Sequence, residues 1–448
     1  MKRIVAVVAF AAACTGGQST SSAPVPSSGL ISVGPNVRVS SRFEEAHYET
    51  HAAAHPSDPD KLLATAIVYP KTGRRGTVVY ASSDGGKTWT TSFQGDALEN
   101  TGDPAVGYAT DGTGFFSVLT SRGHPLEKIP EHPTHAWDGR KTLLYRLPPG
   151  ASKWEGPATF MFADREYVVV DDTKGKFNGR VYVSGDPRPG SGFVVFASTD
   201  GGATFPQVQG AESDNRGVTL SNAVVASDGT ILGAYADPGG HVRVARSTDG
   251  GNSFLPSMVV DTFVRAGNRK DPKHNNVNQF MTLAVDRSNG PFRDRVYLAW
   301  PDRRSGHSQV VMTYSPDGGR TWKPSLVPTD NQASDTTDQF MPTLTVSRDG
   351  VVGLLFYDRR DNPDNKTFYA RFTASLDGGA TWLPSVRLSA APYSAGEVAQ
   401  KSAFAYNGGD TAGLVASADG IFHAFWVDDR TGVPQVYTSA VRVAGRGR

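Results

Sequence analysis

Carboxylates crowd against arginines at a few points of this 448-residue chain, and those points are where chemistry could occur. Glu49 lies in "FEEAHYETH", Asp103 in "NTGDPAV", and Asp164 and Glu166 flank Arg165 in "ADREYVV". Arg188, Arg304, Arg360 and Arg430 each follow an aspartate by two residues, at Asp186, Asp302, Asp358 and Asp428. A carboxyl group tuned by its neighbours can give and take protons near neutral pH. A guanidinium fork holds a carboxylate through two parallel hydrogen bonds, which a lysine cannot reproduce. The combination suits acid–base chemistry on an anionic molecule. So regular an Asp-x-Arg also fits a second role, as ion pairs that lock structural units together.

Asymmetry separates a site from a scaffold, and three stretches break the regularity. The segment 42–55 crowds Glu44, Glu45, His47, Tyr48, Glu49, His51 and His55. Spaced histidines could bind zinc, but no His-Glu-x-x-His pattern is present. The insertion 121–141, "SRGHPLEKIPEHPTHAWDGRK", brings His124, Glu127, His132, His135 and Trp137, and could wall a pocket or be a plain loop. The third is "ADREYVVVDD", with Asp164, Arg165, Glu166 and Tyr167 together.

What must position these residues is a set of short strands. Apolar stretches are brief, alternating and rich in Val, Tyr and Phe, which reads as strand. One phrase punctuates them: "SSDGGKTW" at 82–89 returns as "STDGGATF" at 198, "STDGGNSF" at 247, "SPDGGRTW" at 315 and "SLDGGATW" at 375. A calcium loop would need further carboxylates at alternate positions, and a phosphate loop would need Gly-Lys-Ser/Thr opening a helix. Neither follows, so the phrase is a turn staple. Its Asp accepts from backbone N–H groups, its glycines take positive φ and its closing aromatic ring is buried.

Each staple belongs to a unit of four short strands, whose openings fall at 48–55, 103–110, 164–171, 218–226, 279–286, 339–347 and 410–416. Seven such units make an all-β chain and a seven-bladed β-propeller; six blades is the alternative count. Unit two has lost its staple, and unit seven stops after "QVYTSAVRV". The early segment 31–40, "ISVGPNVRVS", can supply that missing fourth strand and close the ring, protecting both edges. In an antiparallel blade, strand-one starts and the loops after strand two share one face, while the staples lie on the other. The first face therefore collects Glu49, Asp103, Asp164, Gln279, Gln339 and Asp410 with Arg122, Arg165, Arg188, Arg304, Arg360 and Arg430.

The remaining composition limits the partners. With 45 basic and 44 acidic residues the formal charge is +1, and no long basic run marks a nucleic-acid surface. Residues 1–14 read as a secretory signal: Lys2 and Arg3, an apolar run from Ile4 to Ala13, then Cys14. Cys14 is the single cysteine, so no disulfide can form within the chain. Ala-Ala-Ala-Cys resembles a lipoprotein cleavage box, which makes Cys14 a lipidation candidate; an ordinary cut after "AFAAA" is the alternative. Residues 15–29 form a Ser/Gly/Pro tether, and 30–448 a single propeller domain. The expected protein is exported, held at the membrane only through an N-terminal lipid or else secreted, and a monomer. No cofactor or metal motif is present.

The Ser-x-Asp-Gly-Gly-x-Thr-Trp phrase is the Asp-box, or bacterial neuraminidase repeat, and over residues 30–445 the chain resembles the sialidase superfamily of propellers. The resemblance implies an arginine cluster gripping a substrate carboxylate, a Tyr–Glu pair as nucleophile and an Asp as general acid/base. Candidates for these parts are Tyr48 or Tyr406, Glu49 or Glu166, Asp103 or Asp164, and Arg165, Arg188, Arg304, Arg360 and Arg430. The family's early Arg-Ile-Pro is absent; the nearest phrase is "EKIP" at 127–130. Two functions follow as expectations: an exo-glycosidase or lyase acting on an acidic sugar, or a non-catalytic lipoprotein whose propeller binds a glycan or a protein.

Overall fold

The computed structural model describes residues 29–445 except 42–43, 72, 96–99, 121–139, 162–163, 187–192, 212–219, 263, 266–279, 333 and 395–406. Cys14 and the segments expected to be signal and tether lie outside the described residues, apart from Gly29. So do Arg122, Arg188, Gln279, Tyr406 and the histidine-bearing part of the insertion.

The alternating stretches form seven antiparallel sheets in chain order, at 46–94, 101–161, 164–211, 224–262, 282–315, 339–387 and 413–443. First strands of successive sheets pack against one another, and that of the seventh returns to the first. This is a seven-bladed β-propeller. Blade 1 shows the pattern, with strands Ala46–Ala54, Leu62–Tyr69, Gly76–Ser82 and Thr90–Gln94 paired in that order. In blade 5 the outermost position is held by an isolated bridge from Leu326 to Met312.

The ring closes through the N-terminal segment. Ile31–Val33 pairs with the last strand, Gln435–Val443, at Ile31↔Val443, and Val37–Arg38 pairs with it at Val37↔Thr438. Between the two pieces Asn36 turns sideways, donating to Leu388 O at 2.9 Å and accepting from Ala390 N at 2.9 Å. The seam is thereby sewn to blade 6 as well.

Large rings fill the spaces between sheets: Trp300, Tyr297, Phe356 and Trp426 are almost completely buried. The staples secure the outer turns. In blade 5, Ser315 Oγ donates to Asp317 Oδ1 at 2.8 Å, and the Arg320 and Thr321 amides donate to the same oxygen at 3.0 and 2.8 Å. Thr321 Oγ1 donates to Oδ2 at 2.7 Å. The second glycine, Gly319, has φ 84°, and a Cβ there would stand 2.5 Å from Leu232 Cδ2 of blade 4. Only glycine allows both the turn and that approach. Across other blade junctions an arginine grips the staple carbonyl, as Arg180 does with Gly250 O at 2.7 Å.

Candidate active site at the propeller mouth

A shared irregularity aims side chains at the axis. The first strands of blades 1, 2, 3 and 6 slip register between Tyr48 and His51, Gly102 and Ala105, Asp164 and Tyr167, and Phe340 and Thr343. The residue after each slip begins is left-handed: Glu49 at φ 53°, Asp103 at 50°, Arg165 at 58° and Met341 at 55°. Non-glycine residues seldom adopt this conformation, and such bulges re-aim side chains next to active sites. The sequence register needs correcting accordingly. Asp164 sits one residue and Gln339 two residues before the position that Glu49 and Asp103 occupy, and in blade 3 that position belongs to Arg165.

Arg165 is the centre of the cluster. It is 9% exposed, its backbone N–H donates to Asp103 Oδ2 at 3.2 Å, and its guanidinium pairs with Asp410 of blade 7. The same guanidinium stacks 3.2 Å from the ring centre of Phe280, at the entry to blade 5. Residues from three other blades thus meet at Arg165. Despite burial, Asp410, Asp103 and Glu49 hold Arg165 firmly protonated.

The carboxyls around it are pushed the other way. Burial, then the charge of Asp164, raises Asp103 to about 6, and a hydrogen bond that protonated Asp103 donates to Asp164 adds to the shift. Burial, Asp103 and Asp410 raise Glu49 well above the usual carboxylate range. Glu166 is raised in the same sense by burial and by Asp103; neither of its oxygens has a hydrogen-bond partner in another of the described residues, and it is 2% exposed. An unpaired buried carboxylate is costly, so Glu166 stays neutral. Glu49, Asp103, Arg165, Glu166, His51 and Tyr167 enclose a space of 10 Å³, room for about one water. Beneath it runs an axial channel of 430 Å³ walled by first strands.

Sequence reasoning missed two members. Arg75, in the loop before the third strand of blade 1, interacts electrostatically with Asp103 and Glu49 and donates to the Tyr69 hydroxyl at 3.3 Å. Tyr69, at the end of the second strand, is coupled to Glu49 and Asp103. Arg75 belongs to no Asp-x-Arg phrase, and its only signal was a position after strand two. Tyr48, the tyrosine singled out from the sequence, faces elsewhere: its buried ring packs edge-on to Tyr69 at 5.6 Å, and its hydroxyl meets Tyr393.

The three described arginines of the Asp-x-Arg phrases are engaged elsewhere. Arg304 donates to Asp302 at 2.9 Å and to Thr262 O of blade 4 at 2.7 Å. Arg360 binds Asp358 at 2.7 Å and Asp330, from the segment entering blade 6, at 2.8 Å. Arg430 pairs with Asp428 and reaches Asn36 in the closing segment at 2.9 Å. Tryptophans complete two of these units, Trp300 Nε1 donating to Asp302 at 3.0 Å and Trp426 Nε1 to Asp428 at 3.4 Å. All three arginines lock blade to blade or blade to seam. The histidines of blade 1 are also engaged. His47 bonds Tyr80 at 2.8 Å, and His51 is held neutral by burial, lowered to about 4.

No family model matches the chain. A curated sialidase from Micromonospora viridifaciens is 30% identical over 189 residues, 42% of this chain. The match spans only about a quarter of that relative, 26% of its length. Among solved structures, the leech intramolecular trans-sialidase covers 82% of this chain and 70% of its own, with a TM-score of 0.51 at 10% identity. An ulvan lyase, a polysaccharide lyase, covers 88% and 94% with a TM-score of 0.51 at 12% identity. At these identities the likeness is one of fold: a sialidase-like β-propeller, in agreement with the seven sheets.

Proposed function

We propose that the protein is an exported, glycan-active enzyme, an exo-glycosidase of sialidase type acting on an acidic sugar at the propeller mouth. One observation carries the reading: Asp103, raised to about 6, lies among buried carboxyls beside two guanidinium groups. A carboxylic acid that titrates near neutrality is matched to protonating a leaving oxygen and then accepting a proton from water. Arg165 and Arg75 supply the positive charge for an acidic substituent. Tyr69, bonded to Arg75 and in electrostatic contact with Glu49, and Tyr167 are the described tyrosines beside these carboxyl groups. The Micromonospora sialidase and the carbohydrate-acting propellers point to the same substrate class, sugars.

The test is turnover by purified protein of sialosides, uronides and arabinan-type oligosaccharides, with Asp103→Asn as control. No turnover on any glycan, with binding retained, replaces this reading by the second one, a non-catalytic propeller that binds a glycan or protein. That alternative draws on Arg304, Arg360 and Arg430, all engaged in scaffold contacts. Lipidation of Cys14 completes the proposal and would tether the domain to a membrane. Mass spectrometry of the mature N-terminus decides it: a free Cys14, or a start elsewhere, rejects the anchor.

A further inference from the structure

The Arg165 fork is occupied by the protein itself. Its plane is fixed by stacking on Phe280, so acceptors can approach only along the guanidinium edge, and Asp410 holds a place there. A carboxylate arriving from outside cannot take the same N–H groups while Asp410 keeps them. We propose that Asp410 is an internal competitor that sets the specificity of the mouth: an anionic ligand binds by displacing the Asp410 carboxylate from Arg165, and the mouth takes up a proton from solvent as it does so. The inference rests on the reading of the mouth as an acidic-sugar site.

The charge inventory requires the proton. Among the described residues five carboxyl groups, Glu49, Asp103, Asp164, Glu166 and Asp410, surround two cations, Arg165 and Arg75. Tyr69 and Tyr167 face the same group with phenols raised by burial, Tyr167 to about 12, so neither contributes charge near neutrality. His51 stays neutral. A ligand carboxylate adds a negative charge, and a displaced Asp410 remains within electrostatic reach of Glu49. Like charges crowded out of water are relieved by protonation, and here the proton belongs to the Glu49–Asp103 pair as a whole. A neutral sugar offers nothing to displace Asp410 and leaves the latch shut.

Calorimetric titration of the wild-type protein with N-acetylneuraminic acid and with glucuronic acid tests the idea, in buffers of different ionisation enthalpy from pH 5 to 8. The expected result is uptake of about one proton, with Kd rising roughly tenfold per pH unit above pH 6. Asp410→Asn, checked for an unchanged fold by circular dichroism, should tighten binding at pH 7.5 by roughly tenfold and flatten the pH dependence. Binding without proton uptake overturns the inference and leaves the acidic-sugar reading intact. So does a weakening in Asp410→Asn. If neither acid binds at any pH, the reading itself is wrong and the inference goes with it.

Discussion

The two faces of the propeller carry the same residue type in opposite states. On the outer-turn face, aspartates sit half-buried or exposed in turns that satisfy both carboxylate oxygens, and hydrogen bonds from Ser198 and Thr204 hold Asp200 down at about 2. On the mouth face, Asp103 is half-buried, crowded by other carboxyls and lifted to about 6. The staple repeats with little variation; the mouth differs from blade to blade, with Glu49, Asp103, Arg165 and Met341 at one structural position. Repetition marks residues that hold the fold. Variation at an equivalent, conformationally costly position marks the site proposed for function.

The largest expected effect separates the faces by activity. Asp103→Asn should lower kcat/KM on the responsive glycan by about 10²–10⁴-fold, the range for losing a general acid. Asp317→Asn should leave it within about twofold, since a change remote from the chemistry removes no transition-state contact. Loss of activity in the Asp317 variant with a normal melting temperature would erase the distinction.

Next comes packing on the staple face. Gly319→Ala places a methyl group 2.5 Å from Leu232 at φ 84°. It should cost about 2–4 kcal/mol by denaturant unfolding, through overpacking and backbone strain. A wild-type midpoint would show that the blades can part at no cost.

Acid should act on the faces with opposite signs. Asp103 is raised from 3.8 to about 6, so its contribution is fully present below pH 3.8 and is lost as pH rises through 6. Asp200 is lowered from 3.8 to about 2, so its contribution is present above pH 3.8 and is lost as pH falls through 2. Melting temperature between pH 4 and 7.5 should therefore fall less in Asp103→Asn than in wild type, a difference on the order of 2 kcal/mol at the upper end. Parallel curves would mean that the mouth carboxyls are not strained by their neighbours.

Smaller effects follow from single staples and locks. Asp317→Ala should cost about 1–2 kcal/mol, because it leaves turn amides without their acceptor. Arg304→Lys, at a partly exposed lock, should cost at most about 1 kcal/mol and leave turnover untouched. A kinetic effect at Arg304 without loss of stability would move that residue back to the mouth.

The fold was legible because its punctuation is strong: the Asp-Gly-Gly turns mark third-to-fourth strand junctions, and alternation marks the strands between them. Even the closing segment could be read, since blade 7 lacked a strand and 31–40 offered one. The mouth was legible in part. Glu49, Asp103, Asp164, Arg165 and Glu166 could be gathered by their place at strand starts. What could not be read was the bulge, because a register slip leaves no trace in composition yet moves the axis-facing position in blade 3 from Asp164 to Arg165. Arg75 and Tyr69 escaped for a related reason: each lies in no repeated phrase, and only the folded ring brings them beside Asp103. Arg304 and Arg360 illustrate the converse, a conspicuous motif whose regularity belongs to the frame.

The seam at Ile31–Val33 has a consequence for how the ring forms. Its partners are synthesised far apart in time: Ser439 and Gly34, hydrogen-bonded at 2.8 Å, stand 405 residues apart. Until the strand Gln435–Val443 emerges, the growing chain is an open coil of blades with bare edges, the arrangement most prone to pairing with a neighbour. Ring closure is thus the late, slow event of folding, burdened by the entropy of a very long loop. Its reward is kinetic: once Ile31 has docked on Val443, no blade can peel away first without breaking the clasp.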